Sequence, residues 1–320
     1  MNSIKNFFKS KIVENVLLFF LLLGVMITIF TPNLPFLTGG ADLANQTMIC
    51  YLGLSILFMI FGMRRLMIVA MISTAIFAFF LKETTNARIK YAIPNLSEKI
   101  TLNLINLSSI DSDPIKVFNN IAKKSFDVMI FQEYTPNWSG IIEEKLLNSY
   151  PNSISLPRID VYGLKVISKY PIISCDTFYY EEIPILKFNI QKNKSLFSVV
   201  TAYFPPPINK AARETDTEEL NLIAAHLRKN TDPTIVAGVF NMVPWSQEIQ
   251  QFKDQTELID TRSGYIPSMD KSSGGIFGKP VTHIFYNRFL ECTNFNISRA
   301  DNDEYGIEAF FQLQDNDLIK

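Results

Sequence analysis

The run from Asp127 to Glu133 passes through Val128, Met129, Ile130 and Phe131 before Gln132 and Glu133, which sets a carboxylate at the polar end of a hydrophobic strand. A carboxylate in that position can coordinate a divalent cation beside a phosphate ester. Two further apolar runs end in the same way. Val236 to Asn241 leads into Pro244, Trp245 and Ser246, and Val199 to Tyr203 leads into Phe204 and a proline run. Each signal is weak alone; their order along the chain is informative.

Strand ends can converge on one site if the strands lie in packed sheets. From about Ile89 the sequence reads as short β-rich runs between polar turns, with no internal repeat. Ile100–Ile105 and Val128–Phe131 are expected as buried strands, with a helix over Pro114–Lys124 capped by Asp113 between them. Gly163–Ser168, Ile172–Tyr180, Leu186–Ile190 and Phe197–Tyr203 follow as strands. Leu220, Ile223, Ala224 and Leu227 recur at helical spacing behind a capping box at Thr215 and Glu218. Thr234–Gly238, Thr282–Tyr286, Leu290–Ser298 and Gly306–Leu313 complete a second strand set. Two packed sheets flanked by helices are the expected α/β architecture over residues 86–320.

Residues 1–85 are of another kind. The apolar runs Val13–Phe30, Leu43–Met63 and Leu66–Leu81 are each close to the length that crosses a hydrocarbon core. They predict an anchor of three transmembrane helices, the last two joined at Arg64 and Arg65. A cleaved signal peptide would remove the first run and leave the other two. Lys5, Lys9, Lys11, Arg64 and Arg65 fall on one side of a three-crossing path and predict a cytoplasmic N-terminus. The chain beyond Leu81 is then extracytoplasmic: an inner-membrane protein with a periplasmic domain, if the source is a Gram-negative bacterium. Lys82, Arg88 and Lys90 argue mildly the other way. The formal net charge of −1, from 30 basic and 31 acidic residues, gives no reason to expect duplex nucleic acid as partner. Cys50, Cys175 and Cys292 show no zinc-site spacing. A Cys175–Cys292 disulfide is less expected than two small buried side chains.

From about Lys99 to Leu313 the chain resembles the endonuclease/exonuclease/phosphatase family, and most closely its membrane-anchored bacterial subgroup. The resemblance implies a four-layer α/β sandwich and magnesium-dependent cleavage of phosphate esters. Asn106 and Glu133 match the family's metal-site asparagine and glutamate. Asn241 matches the asparagine of its Gly-Asp-Phe-Asn motif. Tyr162 to Ile172, with Gly163 and Ser168, matches a structural signature, and Arg213 resembles a basic residue common in the subgroup. The departures are at the reacting groups. Tyr203 stands for the phosphate-holding histidine, Val239 and Thr282 for two catalytic aspartates, and Asn302-Asp303-Glu304 for the closing Ser-Asp-His.

A general base must accept a proton from water, and donors must offset charge on phosphorus. Valine does neither, so the site reads as degenerate. Three readings fit these residues. In the first, a pseudoenzyme binds a phosphorylated ligand or a protein partner through Asn106, Glu133, Asn241 and Asp303. In the second, rearranged chemistry with magnesium uses Glu304 as base and Tyr203 as donor. In the third, the domain is a structural assembly subunit in the lipid bilayer. His226 is expected on the surface, and His283 is expected to be buried and hydrogen-bonded.

Overall fold

A computed structural model of the chain describes residues 11–30, 40–86, 89–228, 231–264, 278–300 and 303–314. Lys5, Lys9, Arg88, Asn302 and most of the 31–44 loop lie outside the described residues.

Three long helices come first: α1 (Lys11–Phe30), α2 (Ala44–Ile60) and α3 (Arg64–Thr84). With a short turn before α2 they form spans of 20, 21 and 21 residues, long and apolar enough to cross a bilayer. Most of their large apolar side chains face outward, while Leu21, Tyr51, Leu66 and Phe77 pack inward. Tyr51 donates to the Leu21 carbonyl at 2.6 Å and meets the Phe77 ring edge-on. Gly24 allows this approach, since a Cβ there would lie 2.3 Å from the Tyr51 hydroxyl oxygen.

The remainder is a sandwich of two six-stranded mixed sheets. The first has the order β11 (Leu290–Ala300), β12 (Asp303–Leu313), β1 (Lys99–Asn106), β2 (Val128–Gln132), β4 (Leu164–Ser168), β3 (Asn152–Leu156). The second runs β5 (Ile172–Tyr180), β6 (Ile183–Lys192), β7 (Ser195–Tyr203), β8 (Thr234–Val239), β10 (Thr282–Tyr286), β9 (Ile259–Asp260). The pairs β1–β2 and β7–β8 are parallel. Leu102, Ile130, Val166, Phe188, Phe197 and Ile284 belong to the core between the sheets. Helices α4 (Pro114–Lys123) and α5 (Ser139–Leu146) cover the first sheet, and α6 (Lys210–Leu227) and α7 (Gln247–Thr256) cover the second. Full burial of each such Leu, Ile or Phe contributes about 1.5–3 kcal/mol, which makes these three apolar layers the main cohesion of the fold.

Two sequence expectations need correction. Helix α6 starts well before Thr215, because the Asn209 side chain accepts from the Ala212 amide at 2.9 Å and caps it at Lys210. Cys175 is exposed on β5 rather than buried, which is the only departure for the cysteines: Cys292 is buried on β11 in the opposite sheet, and both thiols are free.

Candidate functional site

The parallel pairs set the site. β1, β2, β7 and β8 all point their C-terminal ends the same way, and Gln132 ties them across the sandwich. Its side-chain amide donates to Ala202 O at 2.6 Å and to Thr201 Oγ1 at 3.2 Å, and its carbonyl accepts from Val239 N at 2.6 Å. Glu133 follows at φ +55° and Asn241 at φ +51°, both in the left-handed region. Such backbone costs on the order of 1–3 kcal/mol for a residue like glutamate, less for asparagine. Gly163 lets the next loop close beneath Glu133, because a Cβ there would lie 2.0 Å from Tyr134 O.

The structure brings four of the predicted residues together. Asn106 Nδ2 donates to Glu133 Oε1 at 2.9 Å, and Ser108 Oγ lies 2.9 Å from the same oxygen. Tyr203 lies almost fully buried beside them, and its phenol feels the Glu133 charge. Burial raises the Tyr203 phenol above its usual range, and the Glu133 charge raises it further. Asn241 Nδ2 also donates to Phe204 O at 2.8 Å. Val239 is buried and places no side-chain oxygen in the group.

The other two residues are engaged elsewhere. Asp303 Oδ2 accepts from the backbone of Asp111 and Ser112 and from Ser112 Oγ at 2.6 Å, which pins the loop before α4. Glu304 pairs with Arg299 at 2.7 Å across the β11–β12 hairpin. Arg213 bonds Asp42 at 2.7 Å and Glu248 at 3.1 Å.

Sequence reading missed Ser108, which lies two residues past Asn106 and whose backbone N–H the Asn106 side chain accepts. It also missed Asp260 and Arg262. His283 is fully buried, with Nδ1 2.9 Å from Asp260 Oδ2 and Nε2 2.9 Å from Met242 O. The ring faces an acceptor on each side. Burial alone would raise the Asp260 carboxyl, but the His283 hydrogen bond and the charges of His283 and Arg262 outweigh it and hold it low. The group braces the loop that carries Asn241. The alternation of Asp260 and Arg262 behind two apolar residues is the sequence trace of that strand end. A second missed pair is Asp216 and Glu219, both on the buried stripe of α6. Tyr162, which feels their charge, packs edge-on against Tyr203 with ring centres 6.1 Å apart. His226 is exposed and stacks on Phe178.

Magnesium wants about six oxygen ligands in octahedral array, with carboxylates prominent among the protein's share. The strand ends offer one carboxylate, and its Oε1 already faces the donors Asn106 and Ser108. Among the described residues no group of three His, Cys, Asp or Glu side chains could hold a metal ion. As arranged, these residues do not fit a resident cation.

Comparison with known proteins decides the family. The profile described as Endonuclease/Exonuclease/phosphatase family matches residues 104–301. The chain belongs to this family. Its fold recurs in an endonuclease/exonuclease/phosphatase from Beutenbergia cavernae, with a TM-score of 0.57 at 15% identity over 68% of this chain and 72% of that one. A family protein from Bacteroides vulgatus gives 0.55 at 15% identity over 68% of this chain and all of its own. TDP2 from D. rerio, solved with a single-strand DNA product, gives 0.56 at 12% identity over 67% and 99%. No curated protein matches the chain significantly. Members of the family typically use magnesium.

Proposed function

We propose that this chain is a membrane-anchored member of the endonuclease/exonuclease/phosphatase family whose site binds a ligand without hydrolysing phosphate esters. One observation carries the reading. At the strand ends Glu133 is held by the donors Asn106 and Ser108, with the buried Tyr203 beside it, where hydrolysis would need a cation and an activated water. Val239 adds no base beside it, and for Glu304 to serve as base it would have to leave Arg299. The ligand is a phosphorylated molecule or a protein partner. Glu133 is the acidic side chain at the strand ends and Arg213 is already neutralised by Asp42 and Glu248, so the charge pattern favours the protein. The apolar helices supply the anchor, with the domain extracytoplasmic.

The full chain in lipid nanodiscs tests this, because Val243 and Trp245 of the site loop share a core with the helices. With magnesium or manganese, its turnover of DNA, inositol phosphates and generic phosphodiesters and monoesters is expected to equal that of Glu133→Ala. Metal-dependent turnover abolished by Glu133→Ala would replace this reading with rearranged catalysis. The left-handed backbone at Glu133 is the feature that favours that second reading, since such strain collects at working sites.

A further inference from the structure

We infer that the end of the domain bearing Glu133 and Asn241 lies against the bilayer, with Ile159 and Ile208 inserted at the interface; this rests on the reading of the three helices as an anchor. The helices hold the domain by that end. Trp245 Nε1 donates to Ala41 O at 2.6 Å, Arg213 pairs with Asp42, and Gln250 Nε2 donates to Thr84 O at 2.8 Å. Ala41, Asp42 and Thr84 sit where α2 begins and α3 ends, so the membrane surface passes at their level.

Two loops at this end carry unpartnered apolar tips. Ile208 is 86% exposed just before α6, five residues ahead of the arginine that holds Asp42. Ile159 is 95% exposed in the loop before β4, three residues ahead of Tyr162, whose ring packs against Tyr203. Register fixes their end of the sandwich: β7 closes at Tyr203 opposite Val239, and β4 opens at Leu164 opposite Gln132. A single exposed isoleucine needs no explanation. Two of them on the end already tied to membrane helices have an occupant at hand, the same bilayer. Neighbouring charges are paired, Arg158 with Asp160 and Lys210 with Glu214, so the contact is apolar and indifferent to lipid charge. Ile93 and Leu96 are comparably exposed at the opposite end, near the start of β1, and serve as controls.

The test uses the full chain in phosphatidylcholine nanodiscs, with Cys50 and Cys175 replaced by serine and single probes at Ile159→Cys, Ile208→Cys, Leu96→Cys and Ile72→Cys. Brominated lipid is expected to quench a fluorophore at 159 and 208, and iodide to quench it several-fold less than at 96. Adding anionic lipid is expected to change neither result. Iodide access at 159 and 208 equal to that at 96, with Ile72→Cys still lipid-quenched, overturns the docking and leaves the anchor intact. Loss of lipid quenching at 72 as well overturns the anchor reading with it.

Discussion

Glu219 occupies the buried stripe of α6 with neither carboxylate oxygen bonded, and Asp216 Oδ2 beside it is likewise without a partner. Burial, and then the neighbouring Asp216 charge, push the Glu219 carboxyl up to about 9; burial and Glu248 push Asp216 up to about 7 against the pull of Arg213. The folded state therefore holds these protons more tightly than the unfolded chain, whose carboxyls titrate near 4. Their contribution is complete below that pH and is lost as pH rises toward 9. Thermal melting of the detergent-solubilised chain should show stability falling from pH 6 to pH 9. Glu219→Gln should flatten that slope and gain on the order of 2 kcal/mol at pH 9. A variant that melts in parallel with the native chain at both pH values would count against the buried-carboxyl explanation. The pair was readable in the sequence, since positions 216, 219, 220, 223 and 227 fall on one helical face. Its acidic members break the apolar pattern there, and a pattern search that counts apolar residues passes over them. The engagement of Glu304 by Arg299 was not readable, because cross-strand partners depend on hairpin register.

Between elements, Gln132 carries the connection that makes four strand ends into one site. It is fully buried, and its amide serves Ala202 O, Thr201 Oγ1 and Val239 N on the opposite sheet. Gln132→Leu keeps the volume and strands a carbonyl and an amide, each costing about 1–3 kcal/mol. A loss of roughly 2–4 kcal/mol on unfolding is expected, with Tyr203 fluorescence shifted as β7 moves relative to Glu133. Equal stability of the variant would mean that water replaces the amide. Strands of the central pairs were legible because their apolar runs are long: β1, β2, β7 and β8 lie within two residues of expectation at either end. Helices α5 and α7 and strand β3 were missed for a common reason. Each places few large apolar residues inward, Ile249 and Phe252 in the case of α7, so periodicity has little to register. The cap that starts α6 is one asparagine after a proline run, and the Thr215 and Glu218 pair mimicked it one and a half turns later.

At the scale of the whole molecule, the three helices present two chemically different ends. Lys11 opens α1, and Arg64 and Arg65 open α3 at the turn from α2, with Arg65 3.9 Å from Glu14. The other end carries Ala41, Asp42 and Thr84, all bonded to the domain. The sequence gives the charge asymmetry, and the structure adds that the domain hangs from the end without the arginines. Basic residues flanking membrane helices are retained on the cytoplasmic face. Lys82 is the one basic residue in the last turn of α3, and it is outweighed by the cluster opposite. Alkaline phosphatase joined after Asn95 should therefore be active in intact bacterial cells, and a green fluorescent protein joined there should be dark. Arg64→Glu with Arg65→Glu, together with Lys11→Glu, should erode the difference, because the orientation rests on those charges rather than on the domain. A bright fluorescent fusion with inactive phosphatase in the native sequence would invert the topology and return Glu133 and its enclosing donors to the cytoplasm.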